Sequence, residues 1–223
     1  MIVQLGKTSV TWTRADLEAK LAGHARVLID VGTGDGRFVY RSAGAHADTY
    51  CIGVDPAGER MREVSWRASR KVARGGRPNA LFVVASVQAL PEELTGLAHT
   101  LTVNFPWASL LSALVLPEAP VLEALRRLVR PGGELIALLN QSVFDDRPYA
   151  ARLGLPELSD AWVDDTLRPA YRAAGFEIRA SELVEGDMPH QTSWGQHLTL
   201  ASGRRTRLLT AEAIGAIGGG APG

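Results

Sequence analysis

"LIDVGTGDGRF", residues 28–38, decides how this chain is read. An aliphatic run ends at Asp30 and Val31, and glycines then alternate at positions 32, 34 and 36 before helix-compatible residues resume. A strand that breaks into a glycine turn and then a helix lets the backbone approach a ligand closely and aims the helix N-terminus at it. A dinucleotide fingerprint would place its third glycine at position 37, where the chain has Arg37. Asp55, which ends the next apolar run about 20 residues on, is placed to accept hydrogen bonds from both hydroxyls of a ribose. A turn used only for packing and a nicotinamide-dinucleotide site are the competing readings.

Outward from this turn, strand-like runs recur at Val27 to Val31, Tyr50 to Val54, Leu81 to Ala85, Leu101 to Phe105 and Leu135 to Leu139, with helix-compatible stretches between most of them. The alternation predicts an α/β fold: a doubly wound, mostly parallel, Rossmann-like sheet. The first residues suit a short hairpin extension, and Thr13 three residues before Asp16 predicts a capped helix. "RPGGE" at 130–134 reads as a turn and 141–160 as an irregular connection. A helix near 161–174 then leads into "FEIRASELVE", with two more strands flanking "SGRR". A single domain over 1–212 and a disordered tail over 213–223 ("AIGAIGGGAPG") are expected.

The chain has 223 residues and a formal net charge of zero, so composition advertises no polyanionic partner. No apolar run is long enough for a membrane span and no signal-peptide pattern opens the chain, which predicts a cytoplasmic protein without membrane contact; a monomer is expected. The lone Cys51 lies in an apolar run and reads as a small buried hydrophobe. The five histidines are scattered, so no metal site is expected.

Local charge says more than the total. Between Glu59 and Arg77 seven basic residues face two acidic ones. Arg67, Arg70, Lys71 and Arg74 fall at i, i+3, i+4 and i+7, one face of a helix, with Met61, Val64, Ala68 and Val72 as its apolar stripe. A row of like charge costs helix stability, which suggests that it meets phosphates. Arg204 and Arg207 extend the expected RNA-binding set, whereas Arg126, Arg127 and Arg130 read as an ordinary exposed helix. Trp12, Trp66 and Trp162 read as packing residues. "NFPW" at 104–107 sits at the carboxyl end of the fourth strand, the edge where such folds bind ligands. It is like the N-P-P-Y type motif of amino methyltransferases, but Phe105 and Trp107 favour stacking over amino-group capture.

The glycine turn with Asp55 resembles motif I of class I S-adenosylmethionine-dependent methyltransferases. "DVGTGDGR", "GVDPAGERM", "GGRPNALFVVAS", "NFPWASLL", "RPGGEL" and "TSWG", in that order, are together similar to the aminoglycoside-resistance methyltransferases of the kanamycin and apramycin type. Those enzymes modify N1 of an adenine in the 16S rRNA decoding site. The resemblance implies S-adenosyl-L-methionine as cofactor and the small ribosomal subunit as partner. It implies that Asp30, Gly32, Gly34, Asp55, Ser86, Val87, Gln88, Asn104, Ser109 and Ser193 surround the cofactor, and that Trp107 and Trp194 hold the target base. Gln88 stands where the family pattern has an acid, and Gln196 and His197 where it has basic residues. An amino-group methyltransferase and a non-catalytic RNA-binding or assembly factor are the alternative functions.

Overall fold

The computed structural model describes residues 1–185, 189–191, 197–199 and 205–215. A hairpin of β1 (Ile2–Leu5) and β2 (Thr8–Thr11) opens the chain, followed by α1 (Arg14–Leu21), whose capping box joins Thr13 and Asp16. The alternating part comprises β3 (Arg26–Val31), α2 (Arg37–Ala45), β4 (Thr49–Asp55), α3 (Arg62–Ala68), β5 (Ala80–Val84) and β6 (Ala98–Asn104). Next come α4 (Ala108–Val115), α5 (Ala119–Leu128), β7 (Val129–Asn140) and β8 (Phe176–Glu185). The short pair β9 (Pro189–Gln191) and β10 (His197–Thr199) precedes β11 (Arg205–Ala213).

The main sheet has nine strands in the order β2-β1-β5-β4-β3-β6-β7-β11-β8. Its inner five are parallel, while the hairpin at one edge and β11 and β8 at the other are antiparallel. From β3 the chain steps outward through β4 to β5, then returns to pair β6 with the other side of β3. Open α/β sheets bind ligands where the strand order reverses in this way, at the carboxyl ends of the strands.

Strand alternation explains the continuous apolar runs. Val27, Ile29 and Val31 pack with Leu17, Leu122 and Leu125, while Leu28 points the other way, with Val39, Met61, Val64 and Phe82. Both faces of the sheet are therefore covered, and a strand buried on both sides needs no polar alternation.

Each expected strand overlaps an observed one; the largest difference is β7, which starts at Val129 rather than Leu135. Val129 pairs with Ala98 and Glu134 with Thr100, so a step of two residues on β6 faces a step of five on β7. "RPGGE" is thus a bulge inside a strand rather than a turn before it. The connection expected to be irregular carries two short helices, Ser142–Asp145 and Arg147–Arg152, and the helix near 161–174 contains a π segment at Val163–Leu167. Ala213 belongs to β11, and Ile214 N donates to Gly175 O at 2.9 Å, so ordered structure passes the expected boundary at 212.

Candidate active site

Asp30 leaves the carboxyl end of β3 with only 1% of its surface exposed. Thr102 Oγ1 and Asn104 Nδ2, both from the neighbouring β6, donate to its Oδ1 at 2.7 and 2.8 Å. Burial pushes the carboxyl up to about 6, the polar side chains of Thr33, Thr102 and Asn104 oppose that shift, and the charge of Asp55 adds a smaller push in the same direction as burial.

Asp55 is also buried, and its two oxygens tie two loops together. Oδ2 accepts from Gly34 N and Oδ1 from Ala57 N, both at 2.9 Å. The glycine turn needs this anchor because Gly32, Gly34 and Gly36 all take left-handed φ, +75°, +62° and +76°. Two of these glycines do different jobs. A side chain at Gly36 would collide with Phe82, 2.5 Å from a Cβ, whereas one at Gly34 would meet nothing within 4 Å. Gly36 serves packing and Gly34 leaves open space beside Asp55.

Ser86, Val87 and Gln88 follow β5 in a short turn, half-buried, buried and exposed in that order. Ala85 N donates to Asp55 O at 3.3 Å, which brings this segment beside the β4 acid. At the end of β6, Phe105 and Ala108 have φ of 48° and 46°, the only non-glycine residues with positive φ among those described. Such strain clusters at ligand sites, and here it brackets Trp107, whose side chain is 62% exposed. Ser109 is exposed in the first turn of α4, and the next residue, Leu110, lies over Gly32.

The fold therefore gathers Asp30, Gly32, Gly34, Asp55, Ser86, Val87, Asn104, Trp107 and Ser109 along one edge of the sheet. Ser193, Trp194 and Arg204 lie outside the described residues. The sequence reading missed Thr102. Its signal was the polar series Thr100, Thr102, Asn104 on alternate positions of an otherwise apolar strand, but only the pairing Asp30↔Thr102 shows which acid it serves. Among the described residues no three His, Cys, Asp or Glu side chains gather as a metal site, and no single helix is long and apolar enough to cross a membrane.

The basic stretch differs from the expected helix. α3 ends at Ala68, and Ser69 Oγ turns back to Trp66 O at 2.8 Å. Lys71 is extended, and a separate single turn covers Val72–Arg74. Arg67, Arg70, Lys71 and Arg74 are exposed but do not form one helical row, and Val72, expected in the apolar stripe, is 64% exposed. Trp66, expected to pack, is 54% exposed. Arg207 is 5% exposed and donates to Asp160 Oδ1 and Ser181 Oγ at 2.7 and 3.1 Å, which makes it an internal tie here rather than an exposed cation of the expected RNA-binding set. Arg126, expected on an exposed face, is buried and donates to the carbonyls of Gly175, Val129, Ile214 and Gly215.

A parallel-cored sheet whose acid-ended strands β3 and β4 flank a glycine turn at the reversal point is the architecture of a methyltransferase, and solved methyltransferases superpose on it. The crystal structure of the antibiotic-resistance methyltransferase Kmr is 87% identical, spans 96% of this chain and 100% of its own, and superposes with a TM-score of 0.81. A 16S rRNA (adenine(1408)-N(1))-methyltransferase from Catenulisporales acidiphilia, solved as a tryptophan-to-alanine mutant with its cosubstrate SAM, is 34% identical over 96% of this chain and 97% of its own, with a TM-score of 0.86. The chain belongs to the NpmA family of 16S rRNA (adenine(1408)-N(1))-methyltransferases, a family of enzymes whose model matches residues 2–213. Curated relatives of that name include one from Escherichia coli, 28% identical over 92% of this chain and 94% of its own length. Another, from Streptoalloteichus hindustanus, is 30% identical over 90% and 93%.

Proposed function

We propose that this chain transfers a methyl group from S-adenosyl-L-methionine to N1 of an adenine in the 16S rRNA decoding site of the assembled small ribosomal subunit. The observation that carries this reading is the pair of buried carboxylates, Asp30 and Asp55, held at the ends of adjacent strands around a turn with open space at Gly34. Two anionic acceptors beside such a space suit a ligand that carries an ammonium, a sulfonium and a ribose diol. Asp55 would take the ribose and Asp30 the cationic end. Asn104 Oδ1, buried without a partner, is a further acceptor at the same edge. Gln88 keeps a carbonyl that suits an adenine amino group. The strand order, outward from β3 on both sides with helices over both faces, supports the doubly wound reading of the fold.

When bound, the cofactor supplies a sulfonium methyl group that the lone pair of adenine N1 can attack directly. N1 carries no proton, so the protein needs no general base, and its task is to hold the base in line. Trp107, presented outward between two strained residues, is placed to stack on a base pulled from its helix. Trp194 is proposed as the second ring. The Asn104 amide nitrogen donates to Asp30 and its oxygen stays open, so the preference for N1 over an exocyclic amino group rests on Phe105 and Trp107 in place of the amino-methyltransferase motif. The modified base would be cationic and would repel cationic aminoglycosides, the basis of resistance. A single chain supplies the proposed site, consistent with a monomer, and a ribosomal substrate implies a cytoplasmic enzyme.

Incubation of purified small subunits with methyl-labelled cofactor, followed by nucleotide mapping, tests this reading. The expected product is N1-methyladenine at one decoding-site position. An N6-methyl product or no transfer overturns it.

A further inference from the structure

We propose that Trp66 is an RNA-contact residue: an indole platform, with the Arg70 guanidinium against it, on which a base or ribose of the small-subunit rRNA packs. The inference rests on the reading above that this rRNA is the substrate. It places a stacking contact in the docking surface, on a different element from the proposed base clamp at Trp107.

The position of Trp66 is fixed from below. α3 buries Val64, Ser65 and Ala68, and Gly6 N donates to Ser65 Oγ at 2.9 Å, clasping the N-terminal hairpin to the helix. A Cβ at Gly6 would lie 3.2 Å from Trp66 Cβ, so the hairpin turn supports the root of the side chain. More than half of the indole nevertheless stays open. Packing thus holds the residue in place without covering it, which gives an exposed large aromatic a reason other than the core.

The surroundings state what should cover it. Arg70 Cζ lies 5.0 Å from the centre of the Trp66 ring. The guanidiniums of Arg67 and Arg77 both pack on the ring of Tyr40, at 5.0 and 5.1 Å, and the Tyr40 hydroxyl is itself tied to Gly75 O at 2.5 Å. Stacking holds a guanidinium flat and leaves its N–H edge free for a phosphate, as at the exposed Arg67 and Arg70, whereas half-buried Arg77 donates to Gly76 O at 3.1 Å and braces the patch from below. Elsewhere on the surface Arg14, Arg168, Arg172 and Arg179 each pair with a carboxylate, while Arg41, Arg127, Arg147 and Arg152 stand singly, so what distinguishes the patch is the density of its cations between 60 and 77. Among the described residues Arg67, Arg70, Lys71, Arg74 and Arg77 have no such ion pair. A chain of zero net charge has concentrated unpaired cations around two aromatic rings, and a polyanion with stackable bases complements both features.

The test measures binding of Trp66→Ala, Trp66→Tyr, Trp66→Leu and Arg70→Ala proteins to purified small subunits over a salt series, with melting temperature and cofactor affinity as controls of the fold. Trp66→Ala is expected to weaken binding about tenfold or more. It should leave the slope of log affinity against log salt unchanged, because no charge is removed, and should raise the KM for subunits more than it lowers kcat. Trp66→Tyr should recover most of the affinity. Arg70→Ala should instead reduce the slope by about one phosphate contact. If Trp66→Ala does not fold, Trp66→Leu, which keeps apolar bulk on Gly6 without an aromatic face, carries the comparison with Trp66→Tyr. Unchanged subunit affinity in a folded variant without the ring overturns the inference and leaves the methyltransferase reading intact. A gain in affinity for an acidic protein rather than for the subunit also overturns it. If the unaltered protein neither binds nor methylates subunits, the parent reading falls first.

Discussion

The Asp55 carboxylate accepts a hydrogen bond from the Gly34 amide at 2.9 Å, so the acid that ends β4 also holds the turn that follows β3. Asp55→Ala should therefore cost twice, through the lost ribose acceptor and through a looser turn. A hydrogen bond to a charged group is worth about 1.5–3 kcal/mol, which predicts a fall in cofactor affinity of roughly 10- to 150-fold. Asp55→Asn, which keeps one acceptor, should lose less. Calorimetric titration of folded variants with S-adenosylmethionine checks both.

Asp30 predicts a pH dependence of stability. Its carboxyl is raised from 3.8 to about 6, so between those values the folded protein binds more protons than the unfolded chain. Stability from this group is fully present below about pH 4 and is lost as pH rises through about 6. A shift of about two units corresponds to about 3 kcal/mol. Asp30→Asn keeps an acceptor for Thr102 and Asn104 and carries no charge. It should be more stable than the unaltered protein above pH 6, with the difference vanishing near pH 4. Denaturant unfolding across that range, with equal stability of the two proteins at pH 7 as the outcome against it, decides the matter.

Trp107 stands mostly in solvent, so its removal opens no cavity. Trp107→Ala should leave melting temperature and cofactor affinity near those of the unaltered protein while reducing methyl transfer by at least about tenfold, the loss of one stacked ring. Trp107→Phe should retain part of the rate. Single-turnover methylation of saturating subunits would expose the clamp as wrong if the alanine variant turned over normally.

Arg207 is expected to behave as structure and not as a phosphate contact. Its replacement by Ala removes ties to Asp160 and Ser181 and should lower stability by about 1–3 kcal/mol. The salt slope of subunit binding should not move, unlike that of a Lys71→Glu, Arg74→Glu double variant, where it should fall. A reduced slope in Arg207→Ala would return the residue to the RNA surface.

What was legible in the sequence follows from what is local. A strand, an acid, a glycine turn and a helix are encoded within a dozen contiguous residues, so the turn and Asp30 could be read directly, and Asp55 followed from its place at the end of the next apolar run. The helix over 67–74 could not, because periodicity alone does not reveal a backbone reversal. At Gly76 a Cβ would lie 1.7 Å from Arg70 O, and Arg77 N returns to bond Ala68 O at 2.8 Å. That loop closes over the end of α3 and ends its helical pattern. Arg126 and Arg207 were misjudged for a related reason. Both look like surface charge in one dimension, and their partners are scattered along the chain, Val129, Gly175, Ile214 and Gly215 for Arg126 and Asp160 and Ser181 for Arg207. Thr102 needed the order of the sheet, since its partner lies 72 residues away.

The sheet order also constrains the sequence of events during synthesis. β8 touches the main sheet only through β11, which is wedged between it and β7. When residues 176–185 emerge they have no neighbour to pair with, and the parallel core with its glycine turn can assemble while both β7 and β8 still present open hydrogen-bonding edges. Completion waits for residues 205–213. Until that strand arrives, the nascent protein carries an unprotected edge of the kind that recruits foreign strands. This strand therefore works as a closing stitch, and deleting it should yield insoluble product even though every proposed ligand-binding residue of the amino-terminal half is kept.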